Sequence, residues 1–175
     1  TEIYTLSLHD ALPISFLIVG DSLSAGYGLP QSQSWPALLQ QRLQQKKSVW
    51  QLHNASISGE TSGGALARLP ALLQQHQPAA VLIEIGGNDG LRGFPINRLR
   101  QNLEQLIALS KAAGATPVLM QIRIPPNYGP RYTEQFVAVY AELAEQQQIP
   151  LWPFFMDKVA LDRKSTRLNS SHRIR

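Results

Sequence analysis

Five short apolar runs alternate with four longer stretches in which apolar residues recur at helical spacing. This alternation limits the possible folds more than any other feature of the chain. The runs cover residues 15–19, 49–54, 79–87 (AAVLIEIGG), 116–122 and 149–155. The helical stretches cover 35–45, 64–77, 96–114 and 132–148. Trp35, Leu38, Leu39 and Leu43 share one face of the first, with Pro36 in a tolerant first turn. Leu66, Leu69, Leu72 and Leu73 do so in the second, which Pro78 closes, and Leu99, Leu103, Leu106 and Ile107 in the third, which Gly114 stops. Four of the five runs are continuously apolar, the mark of strands covered on both faces, whereas WQLHNA (50–55) is more polar. The order predicts an α/β fold with a parallel sheet and right-handed crossovers. At 175 residues the chain suits one domain with a substantial core, and no internal repeat or linker divides it.

Charge excludes less than it first suggests. The net charge is +4, yet residues 162–175 hold five bases against one acid. The remaining 161 residues carry eleven bases and eleven acids, so the basic character belongs to a tail and gives no nucleic-acid face. There are no cysteines, which removes disulfides, thiolate metal sites and cysteine nucleophiles. No apolar run is long enough to span a bilayer.

The two ends depart from the pattern. TEIYTLSLHDALPIS (1–15) lacks periodicity and the basic start of a secretory signal, and DRKSTRLNSSHRIR (162–175) has no apolar face. Both resemble translated sequencing-adapter segments. The expected organisation is a non-native extension over 1–15, one domain over 16–161 and a non-native basic tail over 162–175, with both ends poorly packed.

In open α/β sheets, sites form at the carboxyl ends of the strands. Four loop-like segments fall there: GDSLSAGYG, NASISGETSGG, GGNDGLRGF and RIPPNYGPRY. Ser22 follows the first strand where a helix could begin, so its hydroxyl is exposed and its backbone N–H lacks an internal partner. Gly59 follows the second strand and allows close approach of its N–H. Asn88 follows the third and offers a neutral side-chain donor. One hydroxyl nucleophile and three donors suggest acyl transfer. Singly, each has a plainer reading: Ser22 a helix cap, Gly59 a turn, Asn88-Asp89-Gly90 turn chemistry. Their order after successive strands favours catalysis.

The segments GDSLSAGYG, NASISGETS, LARLPALL, QHQP, GGNDGLRGF, VLMQIRIPPNYGPRY and IPLWPFFM resemble the GDSL, or SGNH, hydrolases over about 16–161. Within that family they are most similar to the bacterial multifunctional thioesterase, protease and lysophospholipase group, related to arylesterases. The resemblance implies a flavodoxin-like three-layer α/β/α sandwich with a five-stranded parallel sheet. It implies Ser22 as nucleophile, with the Ser22 and Gly59 N–H groups and the Asn88 side chain as oxyanion hole. It also implies Asp89, Gly90, Leu91, Ile124 and Tyr128 as substrate-binding residues. The implied substrates are small thioesters, lysophospholipids and short-chain or aryl esters. No metal or organic cofactor, nucleic-acid partner or stable membrane insertion is implied. A monomer in the periplasm or outside the cell is expected, although no signal peptide is visible.

One departure stands out. The family places its base and orienting acid as Asp-x-x-His near the C-terminus, before a final helix, and no such motif follows Phe155. His9 lies in the N-terminal extension, His53 in the second strand, His76 at a helix end and His172 in the tail. Asn169-Ser170-Ser171-His172 repeats the spacing with an amide in place of the carboxylate, and is read as coincidence. An amide does not stabilise an imidazolium as a carboxylate does, and that exchange in a serine-protease triad costs about ten thousand-fold in turnover. The expectation is therefore an acyl hydrolase lacking its C-terminal helix and impaired in activity, with apolar surface left uncovered on one face. Two alternatives stay open. One is an inactive module binding acyl chains through GLRGF and IPPNYGPRY. The other is a module holding an anion on residues 59–64, although GETSGG is followed by no lysine and GDSLSAGYG lacks phosphate-loop and dinucleotide spacings.

Overall fold

The structure, a computed structural model, describes residues 12–156. The strands are β1 (Ile14–Gly20), β2 (Trp50–Asn54), β3 (Ala80–Glu84), β4 (Thr116–Met120) and β5 (Leu151–Trp152). The helices are α1 (Ser22–Ala25), α2 (Trp35–Gln45), α3 (Ser62–His76), α4 (Gly87–Leu91), α5 (Ile96–Ala112) and α6 (Pro130–Gln147). All five strands are parallel, in the order β2-β1-β3-β4-β5. That is the doubly wound, flavodoxin-like order, whose ligand crevice lies where β1 and β3 diverge from their connections.

Burial explains the layers. Every residue of β3 is buried. One sheet face, through Leu17, Val19, Val81, Ile83 and Leu119, packs on Leu69 of α3, Leu103 and Ile107 of α5, and Phe136 and Tyr140 of α6. The other face, through Ile18, Leu82, Val118 and Met120, packs on Phe16, Trp35, Leu52 and Phe155. It is the thinner side. Trp35 of α2 meets Phe155 at 5.9 Å between ring centroids, and Trp50 and Trp152 stay more than one-third exposed.

Most predicted elements are present, with shifted limits. Helix α2 occupies the predicted span. Helix α3 starts at Ser62 rather than 64, because Thr61 caps it, accepting from the Gly64 N–H at 3.3 Å. Helix α6 starts at Pro130, a residue suited to a first turn. Strand β5 shrinks from 149–155 to two residues, flanked by Pro150 and Pro153, which have no N–H to donate. Ile14 and Ser15 pair with Trp50 and Gln51, so the sheet takes in the last two residues of the segment assigned to the N-terminal extension. Residues 1–11 and 157–175, with His9, His172 and the tail, lie outside the described residues.

Candidate active site

The first loop is built around Asp21. Its carboxylate caps α1, accepting from the Leu23 N–H at 3.0 Å. This makes Ser22 the first helical residue and not the cap, so the plainer reading of Ser22 gives way to Asp21. Ser22 is half-buried, and its N–H is among those a helix leaves without an internal partner.

The second loop is laid against the first. The Ile57 N–H donates to Gly20 O at 3.0 Å, and Asn54 Nδ2 donates to Ser24 O at 2.8 Å. Gly59 has φ +81°, and a Cβ there would meet nothing within 4 Å. Glycine is therefore needed at 59 for its backbone conformation rather than for lack of room.

The third loop joins the other two. Asn88 Nδ2 donates to Glu60 O at 2.9 Å and, at a longer 3.4 Å, to Asp21 Oδ2. The amide thus bridges the neighbour of Ser22 and the neighbour of Gly59.

Beneath this edge lies a carboxyl that the pattern of apolar residues did not single out. Glu84 is fully buried at the end of β3 and accepts from Ser24 Oγ at 2.6 Å, while Trp35 Nε1 donates to the same Ser24 Oγ at 3.2 Å. Burial, and then the charge of Asp21, pushes the Glu84 carboxyl up to about 8. Burial also raises Asp21, against the lowering effect of the Leu23 N–H. A lone acid inside AVLIEI was the available signal; Ser24, Trp35 and Asn54 gave none.

The expected substrate-binding residues separate into two groups. Leu91 and Tyr128 meet at the surface, where Tyr128 OH donates to Leu91 O at 2.8 Å. Asp89, Gly90 and Ile124 are buried instead. Asp89 is 2% exposed; its two carboxylate oxygens accept from the Ser62 N–H at 2.8 Å and Ser62 Oγ at 2.6 Å. Expected in substrate binding, it ties α4 to the start of α3, where helix N–H groups favour an anion. Gly90 is packed so closely that a Cβ would lie 2.7 Å from Ile124 Cγ2.

The described histidines stand apart from Ser22. The rings of His53 and His76 pack together at 4.5 Å, and burial followed by the His76 charge lowers His53. His76 ends α3, whose fifteen residues carry it about 21 Å from Ser62. Among the described residues no group of three or more His, Cys, Asp or Glu could hold a metal ion, and no helix is long and apolar enough to cross a membrane.

On this doubly wound sheet a serine opens a helix after β1, and a glycine loop and an asparagine follow its two neighbouring strands. The chain belongs to the GDSL-like lipase/acylhydrolase family, which it matches over residues 18–172, a span that includes His172. It is 56% identical over 156 residues to the thioesterase 1/protease 1/lysophospholipase L1 of Escherichia coli, covering 89% of this chain and 74% of that one. It is 51% identical over 156 residues to an arylesterase of Vibrio mimicus, covering 89% and 78%. Among solved structures, the psychrotrophic esterase EstA of Pseudoalteromonas superposes with a TM-score of 0.80 at 53% identity, covering 81% of this chain and 78% of that one.

Proposed function

We propose that this chain hydrolyses carboxylic esters and thioesters, lysophospholipids among them, with Ser22 as nucleophile. The Ser22 and Gly59 N–H groups and Asn88 Nδ2 stabilise the oxyanion. Ser22 Oγ bonds to the acyl carbon as its proton passes to a base. The tetrahedral intermediate expels the alcohol or thiol, which takes that proton, and water then releases the acid from the acyl-serine. The observation that carries the reading is the Asn88 amide, hydrogen-bonded beside Ser22 and beside Gly59 at once. Leu91 and Tyr128 form part of the acyl-chain surface. A monomer acting outside the cytoplasm belongs to the same reading, which draws there on the family resemblance.

The base is the weak point. The two described imidazoles pack on each other, on β2 and at the end of α3, so a base comes from a histidine outside the described residues, His172 being the candidate, or turnover falls to the trace rate an oxyanion hole alone supports. This favours, as a second reading, a chain that binds acyl groups with little turnover. Hydrolysis of p-nitrophenyl butyrate and palmitoyl-CoA by the chain, Ser22→Ala and His172→Ala separates the two. Weak Ser22-dependent turnover unchanged by His172→Ala is expected, and appending a family-like Asp-x-x-His end raises it by orders of magnitude. Full activity lost in His172→Ala would make the tail the base. Activity indifferent to Ser22→Ala would sink the assignment.

A further inference from the structure

The loop carrying Gly59 is fastened at both ends by one guanidinium of α3. Arg68, on α3, donates Nε to Glu60 Oε2 at 2.9 Å and Nη2 to Ala55 O at 2.9 Å, and Nη2 also pairs with Glu60 Oε2. Ala55 is the first residue after β2, and Glu60 stands two residues before α3, so one guanidinium grips both ends of the connection. Between them Gly59 has no side chain and open space on its Cβ side, and its carbonyl accepts from the exposed Arg92 Nη2 at a long 3.3 Å. Glu60 is held from a second direction: its carboxylate occupies the space a Cβ at Gly64 would need, over the first turn of α3. The Glu60 carbonyl then accepts the Asn88 amide at 2.9 Å.

We infer that Arg68 is a positioning residue for the oxyanion hole: through Glu60 it fixes the Gly59 N–H and the Asn88 amide in register with Ser22. The inference rests on the oxyanion-hole reading above. A planar guanidinium suits this task because its donors reach two acceptors in a fixed fork, which an ammonium does not reproduce. The pair is partly shielded, with the Arg68 side chain 31% and that of Glu60 10% exposed, so its effect is read on geometry more than on stability.

The test compares Arg68→Gln, Arg68→Lys and Gly64→Ala with the surface control Arg100→Gln, which removes the exposed Arg100–Glu142 pair. In nitrogen-resolved NMR of the full chain, Arg68→Gln and Gly64→Ala should shift or broaden the Gly59 backbone and Asn88 side-chain resonances. The Leu103 amide should keep its exchange protection, and Arg100→Gln should move none of these. On p-nitrophenyl butyrate, Arg68→Gln should lower kcat by about tenfold to a hundredfold with KM within about twofold. Arg68→Lys should recover part of that loss. If Arg68→Gln leaves the Gly59 and Asn88 resonances where Arg100→Gln leaves them, the clamp does not exist, whatever the turnover. If they move but kcat does not, while Asn88→Ala lowers kcat, positioning by Arg68 is overturned and the oxyanion hole stands. If neither Asn88→Ala nor Ser22→Ala lowers kcat, the underlying reading fails, and the inference with it.

Discussion

Gly20 and Glu84 face each other across the β1–β3 ladder, and the Glu84 carboxylate fills the space in which a side chain at position 20 would begin. A Cβ there would also lie 2.9 Å from Ser56 Oγ and 3.0 Å from Ser24 Cβ. The strand feeding the proposed nucleophile thus ends in glycine so that a buried acid can reach Ser24. Gly20→Ala should destabilise the fold by about 1–3 kcal/mol, the usual cost of overpacking a filled site. It should also reduce turnover, since Ser24 and α1 must shift. Urea denaturation and p-nitrophenyl butyrate kinetics check this. A variant as stable and active as the parent would mean that the carboxylate can move aside.

Glu84 makes stability depend on pH with a defined sign. Folded, it holds its proton to about pH 8, against an ordinary value of 4.5. Between those values the folded chain binds more protons than the unfolded chain, so stability falls as pH rises through the window and levels off above it. Asp21, also raised by burial, acts in the same direction. The slope is at most about 1.4 kcal/mol per pH unit for each proton. Glu84→Gln keeps a neutral group beside Ser24 and should flatten the profile. Denaturation midpoints at pH 5.5, 7 and 8.5 provide the measurement, and equal slopes in parent and variant would exclude Glu84 as the source.

The sheet could be read in the sequence because runs buried on both faces have no polar alternation to confuse them, as in β3. The long helices could be read because their stripes are in phase, as with Leu99, Leu103, Leu106 and Ile107 of α5. Helices α1 and α4 carry no such stripe, although a helix start at Ser22 was expected. They are short, α4 holds two glycines, and they arise from the Asp21 cap and from the left-handed turn at Gly86, φ +119°. Ser22, Gly59 and Asn88 were visible from their places after consecutive strands. The Glu84–Ser24–Trp35 chain was not, because only the register sets Gly20 opposite Glu84. The burial of Asp89 was hidden for a related reason: turn chemistry suggested an open loop, whereas α4 buries the residue against Ser62.

Tyr140 supports the same edge from below. Fully buried, it donates its hydroxyl to Ile85 O at 2.9 Å, and the Tyr140 hydroxyl oxygen sits where a Cβ at Gly86 would fall. Tyr140→Phe leaves the carbonyl without this donor and should cost about 1–3 kcal/mol. Gly86→Ala should be worse, since it adds a clash to a positive φ. Thermal unfolding that ranks Gly86→Ala above Tyr140→Phe in stability would contradict this account of the turn before Asn88.

Asn88 separates charge from shape. Its amide donates to Glu60 O and Asp21 Oδ2, so Asn88→Ala removes a donor with little change in volume at a half-buried position. If Asn88 is one of the three proposed oxyanion donors, its loss should lower kcat by about a hundredfold to a thousandfold with KM little changed. Asn88→Asp is nearly isosteric but replaces the donor by an acceptor that faces the Glu60 carbonyl and the Asp21 carboxylate. Near neutral pH it should therefore be less active than the alanine variant, because it repels the developing oxyanion as well as failing to bind it. Below about pH 4, where an ordinary aspartate gains a proton and can donate again, the gap between the two should narrow. Rates of both variants from about pH 3 to about pH 8, each normalised to the parent, supply the comparison. An aspartate variant that outperforms alanine at pH 7 would show that position 88 acts through packing and not as a hydrogen-bond donor.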